Sequence, residues 1–503
     1  PLRDFALRGV SSLLDQVNQQ VQMRAVETLG AQYSLDTRLG QLAMRQPIGC
    51  APEMPLREAV RLMHEQHVGS IVVVDPANKP LGIFTLRDLR RVVADGVDLS
   101  QPINQLMTPQ PFHLPPDASA FDAAMAMTER HIAHVCLVQD EQLCGVISER
   151  DLFSLQRVDL VHLARTIRHA GRVETLAALR SEVRQLVDSM LAHGASSTQI
   201  TQLITLLNDH TVCRVIELTL EELGDPGIPF TWLVFGSEGR SEQTLHTDQD
   251  NGILFEASDA AEAAAIRARL LPLAVEINQR LAQCGFTLCK GNIMAGNPEL
   301  CLSRQEWAKR FNQFIHAATP ENLLSSCIYF DLRAVWGDPQ GCEQLRQALL
   351  SDVAGNILFQ RMLAENALLQ RPPLGLFRDF VVARKGAEKH TLDLKVQGLT
   401  PFVDGARLLA LAHGVAACNT QERLHALSQM GVIEALDGAA YEEAYHYIQQ
   451  ARLQQHQLQA RDGLPYSNRV DPDHLNHLDQ RILRESFRQA QRLQSSLAVR
   501  YQL

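Results

Sequence analysis

No Cys-x-x-C pair occurs in this 503-residue chain, whose ten cysteines stand singly at 50, 136, 144, 213, 284, 289, 301, 327, 342 and 418. With no secretory signal at the start either, they read as reduced thiols of a cytoplasmic protein. A basic excess is also missing: 47 Lys and Arg against 57 Asp and Glu leave a formal charge of -10. Neutralising a phosphate backbone needs the opposite sign, so no nucleic-acid partner is expected, although a local basic groove is compatible with the total. Long apolar runs are lacking too. The best stretch, Ala406 to Cys418, is broken by Arg407, His413 and Gly414 and falls short of the ~20 residues of a membrane span. What is present is ordinary globular material, 46% hydrophobic and 21% charged, long enough for roughly three domains of about 150 residues each. The chain opens on Pro1 and runs at once into a helical pattern, which suggests that it is part of something longer.

An internal repeat organises the first third. Leu56 to Asp88 reads as an amphipathic helix, an apolar strand (Ile71 to Val74), a turn, and Gly82-Ile83-Phe84-Thr85-Leu86-Arg87-Asp88. Phe121 to Asp151 repeats it, ending Gly145-Val146-Ile147-Ser148-Glu149-Arg150-Asp151, with both glycines and both aspartates 63 residues apart. The two units resemble CBS repeats, named for cystathionine beta-synthase. The resemblance implies a pseudo-symmetric disc that binds an adenine nucleotide and often dimerises. Asp88 and Asp151 would hold ribose, Thr85 and Ser148 would approach phosphate, and Gly82 and Gly145 would open the motif. Thr85 and Ser148 are equally suited to cap a helix. A helical pattern then runs from about Leu155 to Leu223 and is broken by Asp225-Pro226-Gly227-Ile228-Pro229.

The chemistry-bearing segment follows. A β-rich run, Thr231 to Phe235, leads directly into Gly236-Ser237-Glu238-Gly239-Arg240, where glycines at a strand-to-helix junction let backbone approach a phosphate. Thr247-Asp248-Gln249-Asp250 then opens a second strand through Phe255. Residues two apart on a strand share a face, so Asp248 and Asp250 stand side by side. Their mutual repulsion raises one pKa unless a cation intervenes, and hard oxygen ligands suit Mg²⁺ or Mn²⁺. Glu238 and Glu242 read as helix-dipole partners.

This arrangement resembles the polymerase-beta nucleotidyltransferase superfamily, in particular the catalytic domain of PII-protein uridylyltransferases. It is also similar to a bacterial nucleotidyltransferase family that joins a cyclic-nucleotide domain, a CBS pair and this catalytic domain. The resemblance implies a third metal-binding carboxylate on a later strand, for which Asp331 is the candidate. It also sets Gly236, Ser237 and Arg240 against the triphosphate, and Lys290 near the active site. Further on, Leu392-Asp393-Leu394-Lys395-Val396-Gln397-Gly398 resembles a uridylyltransferase segment, with Gln397 where those enzymes carry glycine. It makes Lys395, Asp404 and Arg407 candidate nucleotide or acceptor contacts. Thr400-Pro401 reads as the cap and first residue of a helix Phe402 to Ala417, and Gln449 to Arg461 as a solvated helix face.

The expected architecture is thus mixed α/β and α+β. It comprises a linker helix (1–35), a CBS pair (36–158), a helical connector (159–228), a polymerase-beta-like domain with a mixed sheet (229–345) and a helical bundle (346–503). The expected activity moves a nucleoside monophosphate from an NTP to a protein or small-molecule acceptor with Mg²⁺. An adenine nucleotide at the CBS pair would regulate it in a signal-transducing homodimer. The alternative is a non-catalytic nucleotide sensor that binds a protein partner.

Overall fold

A computed structural model describes residues 37–42, 47–153, 160–192, 194–319, 323, 327–375, 380–383, 385 and 388–503. The expected linker helix over 1–35 lies outside them. The described residues form two compact units, one running to residue 165 and one from residue 166.

The smaller unit contains the repeat. Its first half runs β1 (Gly49–Cys50), α1 (Leu56–Glu65), β2 (Ser70–Val74), β3 (Pro80–Thr85), α2 (Leu86–Ala94) and β4 (Thr108–Pro109). The second runs β5 (His113–Leu114), α3 (Ala120–Arg130), β6 (His134–Gln139), β7 (Gln142–Ser148) and α4 (Glu149–Phe153). The sheets are ordered β1-β2-β3-β4 and β5-β6-β7, each built around an antiparallel hairpin. Asn78 and Leu143 bond across the repeats: Leu143 N donates to the Asn78 carbonyl, and Asn78 Nδ2 donates to the Leu143 carbonyl, both at 2.9 Å. Val72, Ile83, Cys136 and Leu143 form a shared apolar cluster.

The boundary at residue 165 falls within α5 (Leu160–Arg168), and the larger unit continues with α6 (Val173–Ala192) and α7 (Ser197–Leu223). A mixed sheet of order β10-β9-β8-β11 then sits at the centre. Antiparallel β8 (Phe230–Val234) and β9 (Asn251–Phe255) are fully buried and pair Val234 with Asn251, so the glycine loop and the carboxylate segment leave the same sheet end. Between β8 and β9 lies one helical turn, α8 (Gly236–Gly239); α9 (Ala260–Gln283) follows β9, and β10 (Cys301–Ser303) leads into α10 (Arg304–His316). After β11 (Arg333–Trp336) come α11 (Gln340–Ala354), α12 (Ile357–Ala367) and β12 (Leu392–Asp393). A π-turn (Leu394–Leu399) and α13 (Thr400–Ala412) follow, then α14 (Thr420–Gln429), α15 (Ala435–Arg461), β13 (Arg469–Val470) and α16 (His477–Tyr501). One apolar core runs from Leu233 and Trp307 through Phe402 to Phe487, joining sheet and bundle. Helix α13 is shorter than its sequence pattern suggests. It issues from the π-turn with Thr400 already helical, and stops at Ala412, before Gly414 at φ +70.

Candidate active site

The carboxylate segment is held from behind by amides. Main-chain bonds tie Thr287 N to Thr247 O (3.1 Å) and Gln249 N to Thr287 O (2.8 Å), extending the strand pattern back through Asp248. Burial alternates accordingly, with Asp248 exposed, Gln249 buried and Asp250 half-buried. The Gln249 amide donates to the carbonyls of Asn278 and Phe286, and the Asn278 amide donates to Gln249 Oε1 and Asn251 Oδ1 at 2.8 and 2.9 Å. This buried network fixes the pleat, so Asp248 and Asp250 are turned away from it together, as the two-residue period requires. Burial pushes the Asp250 pKa up, and the neighbouring Asp248 charge adds to it.

The glycine loop reaches this pair. Gly236 stands at φ +57, and a Cβ there would come 3.1 Å from Asp250 Oδ2, so the left-handed turn brings bare backbone to the carboxylate. At Gly239 a Cβ would lie 1.8 Å from the Asp331 carbonyl oxygen, which leaves room for glycine alone. Ser237 is half-buried beside Gly236.

Lys395 stands in the turn that follows β12. The β12–β13 ribbon and the Asp393 carboxylate, which accepts from Lys395 N and Val396 N at 2.9 and 2.8 Å, fix its turn. Gln397 closes the turn by accepting from Asp393 N at 2.9 Å, a contact that glycine could not make. Desolvation and the Arg452 charge lower the Lys395 pKa, while Asp248 and Asp250 pull it back up. Lys290, like Lys395, is exposed, and its neighbour Cys289 interacts with the Asp250 carboxylate.

Asp331 does not complete the expected metal triad. Its side chain is wholly buried and both oxygens are taken by guanidinium groups: Arg240 at 2.7 Å, Arg407 at 2.6 Å and Arg423 at 2.7 Å. Three cations around one carboxylate hold its pKa well below the usual range despite burial, and they leave no lone pair for a metal ion. Arg240 is correspondingly anchored to Asp331 and Glu242, although its charge still reaches Asp250 and Lys395. Arg407 likewise belongs to this cage, and Asp404 accepts from it at 2.6 Å. Among the described residues no group of three or more acidic, His or Cys side chains is set to hold a metal ion. Two carboxylates remain, and these fit Mg²⁺, which commonly binds one or two protein carboxylates and takes its other ligands from water and phosphate.

Residues 181–321 match the family model described as "Putative nucleotidyltransferase DUF294", and residues 357–501 that of the "Putative nucleotidyltransferase substrate binding domain". Residues 39–95 and 103–157 each match the CBS domain. The chain carries a DUF294 unit and a CBS pair. Among relatives, arabinose 5-phosphate isomerase of Salmonella typhimurium is 39% identical over 98 residues, 19% of this chain and 30% of the isomerase. The chain thus spans less than a third of that enzyme. An uncharacterized 17.7 kDa protein of Acidianus ambivalens is 30% identical over 117 residues, 23% of this chain and 71% of that protein. A solved CBS domain protein from Pyrobaculum aerophilum, complexed with AMP, is 27% identical and covers 26% of this chain and 99% of its own, with a TM-score of 0.23.

In the CBS pair, Thr85 caps its helix and Ser148 makes the matching bonds to Asp151. Thr85 accepts from Arg87 N and Asp88 N while Asp88 Oδ2 accepts from Thr85 N (3.0 Å) and Oγ1 (2.8 Å), and Asp151 Oδ2 accepts from Ser148 N and Oγ at 2.8 and 2.6 Å. The motif residues thereby shape the start of α2 and α4. At Gly82 a Cβ would meet Met107 Sδ at 2.1 Å, and Gly145 pairs with Leu137 across the hairpin.

The DUF294 unit holds a site component that sequence reasoning missed. Glu238, in the glycine loop, is 3% exposed, and burial with the charges of Asp209 and Asp250 pushes its pKa up to about 8. A folded-state pKa raised above the unfolded value gives a stability contribution present at low pH and lost as pH rises from 4.5 towards 8. Glu238→Gln is therefore expected to melt within a degree or so of the parent at pH 5 and about 2–4 °C higher at pH 9 in paired thermal scans. Equal shifts at both pH values count against an ionising Glu238.

Proposed function

We infer that the DUF294 unit transfers a nucleoside monophosphate from a nucleoside triphosphate to a hydroxyl of a protein or small-molecule acceptor. The observation that carries this is the bare backbone of Gly236, at φ +57, brought so close to Asp250 that a Cβ there would come 3.1 Å from Asp250 Oδ2, with the charge of Lys395 acting on both Asp248 and Asp250. Asp248 and Asp250 would hold Mg²⁺, which would supply charge neutralisation at the triphosphate. Gly236 and Ser237 bring backbone to the phosphates, and Lys395 balances charge that develops on the departing pyrophosphate. The acceptor hydroxyl oxygen forms a bond to the α-phosphorus, the bond from that phosphorus to the β-phosphate bridging oxygen breaks, and the pyrophosphate leaves with the hydroxyl proton. In the CBS pair, an adenine nucleotide would bind by Asp88 and Asp151, with Thr85 and Ser148 near its phosphate, and regulate the transfer in a homodimer. The matching bonds of Thr85 to Asp88 and of Ser148 to Asp151 support this.

One observation favours a second reading, a nucleotide sensor without turnover: the caged Asp331 leaves two carboxylates where the resembling enzymes use three. Calorimetry with ATP, UTP, CTP and GTP, with and without Mg²⁺, tests both on the parent and on Asp248→Asn/Asp250→Asn. A metal-dependent site absent from the double variant is expected, and pyrophosphate release then separates enzyme from sensor. Binding that ignores both metal and substitution removes the catalytic reading.

A further inference from the structure

The inward side of α15 is not what a packed helix ordinarily buries. At successive spacings of four, three and four residues, where a packed helix carries apolar side chains, it places Tyr445, Gln449, Arg452 and His456, all at most 7% exposed. Two of these are engaged: Tyr445 interacts with Glu242, and Arg452 Nε donates to Asn468 Oδ1 at 2.6 Å. The other two are left short. Gln449 Oε1 is shut from solvent without a hydrogen-bonding partner, and the His456 ring nitrogens, equally shut off, interact with the Asn468 side chain that Arg452 already occupies but make no well-formed hydrogen bond to it. Unpaired buried polar atoms destabilise a fold, so two such side chains flanking one arginine call for a reason beyond packing.

The stripe borders the candidate active site. Asn468, whose side chain accepts from Arg452, also accepts through its carbonyl from Leu394 N at 2.9 Å, which sets Arg452 beside the turn that carries Lys395; the charges of Arg452, Lys395 and Asp248 accordingly act on one another. Chemistry divides along it. Lys395, Arg240 and Arg452 are cations suited to phosphate, whereas an amide and an imidazole offer uncharged donors and acceptors. His456 stays uncharged at neutral pH, because burial and the Arg452 charge push its pKa down to about 3. Neutral donor and acceptor groups on planar side chains suit the edge of a heteroaromatic ring.

Resting on the nucleotidyltransferase reading above, we propose that Gln449 and His456 hydrogen-bond the nucleobase of the triphosphate whose phosphates lie against Asp248, Asp250 and Lys395. These two side chains then set which base the DUF294 unit accepts.

The test is calorimetry on the full chain with Mg²⁺, using the four nucleoside triphosphates and inorganic tripolyphosphate. The parent is compared with Gln449→Met and His456→Phe, and any heat that persists in Asp248→Asn/Asp250→Asn is subtracted as belonging elsewhere. Both substitutions replace unpaired polar atoms with apolar ones of similar size, so melting without nucleotide should not fall, and either variant alone suffices if the other misfolds. The parent should favour one base, each variant should lose about tenfold for that nucleotide, and tripolyphosphate should bind all three alike. Base preference surviving in both variants overturns the proposal, as does a parent that binds all four nucleotides no better than tripolyphosphate; the nucleotidyltransferase reading survives either result. Absence of metal-dependent binding of any of the five probes overturns that reading and this one together.

Discussion

Replacing Asp331 by alanine is expected to cost at least about 3–5 kcal/mol in urea unfolding, one of the two largest effects in the molecule. The carboxylate makes no contact with solvent and is the common partner of Arg240, Arg407 and Arg423. Removing it leaves three buried guanidinium groups, of which Arg240 keeps Glu242 and Arg407 keeps Asp404, while Arg423 retains only the Ala417 carbonyl. The desolvation already spent on those cations is then uncompensated. Asp331→Asn should fall close behind, since it keeps the shape and loses the charge. If Asp331→Ala instead leaves the unfolding midpoint unchanged and weakens only metal-dependent binding, Asp331 is a metal ligand after all.

The opposite sign is expected at the other two carboxylates. Asp248→Asn/Asp250→Asn should raise the metal-free stability by about 1 kcal/mol, because it relieves the burial cost and like-charge repulsion that push the Asp250 pKa up. The same substitution should lower pyrophosphate release by about three orders of magnitude, the several kcal/mol that a bound dication contributes to phosphoryl chemistry. Stability and turnover moving in opposite directions is what separates a functional acid pair from a structural one. A double variant that loses stability as well as turnover would place these carboxylates in the same structural class as Asp331.

Local patterns in the sequence carried the repeat and the central hairpin. The Gly82-to-Asp88 and Gly145-to-Asp151 motifs contain a strand end and a helix cap within seven residues, and the run from Thr231 to Phe255 contains two strands and the loop between them. Asp331 was legible as an acid at the end of an apolar run, but its three partners lie 91, 76 and 92 residues away. No pattern near Asp331 announces that its neighbours will be cations rather than a metal. The inward face of α15 failed for the reverse reason. Gln449, Arg452 and His456 have the composition of a solvated surface, and only tertiary packing turns them inward. Polar residues at core spacing are a signal that a periodicity count restricted to apolar residues discards. Lys395 stands out in the sequence only by its motif, whereas Glu238 was read as a helix-dipole partner because nothing local shows that α7 and β11 close over it.

The arginine cage bears on ancestry. Arg240 and Glu242 belong to the segment matched by the first DUF294 model, Asp404, Arg407 and Arg423 to the segment matched by the second, and Asp331 to neither. Within it three acids face three bases, yet the first segment brings no net charge, the second brings one excess cation, and the intervening stretch brings the anion that cancels it. Exchanging either half with a relative that distributes these charges differently would bury an unmatched ion, so the two segments and the stretch between them can be handed down only as one inheritance.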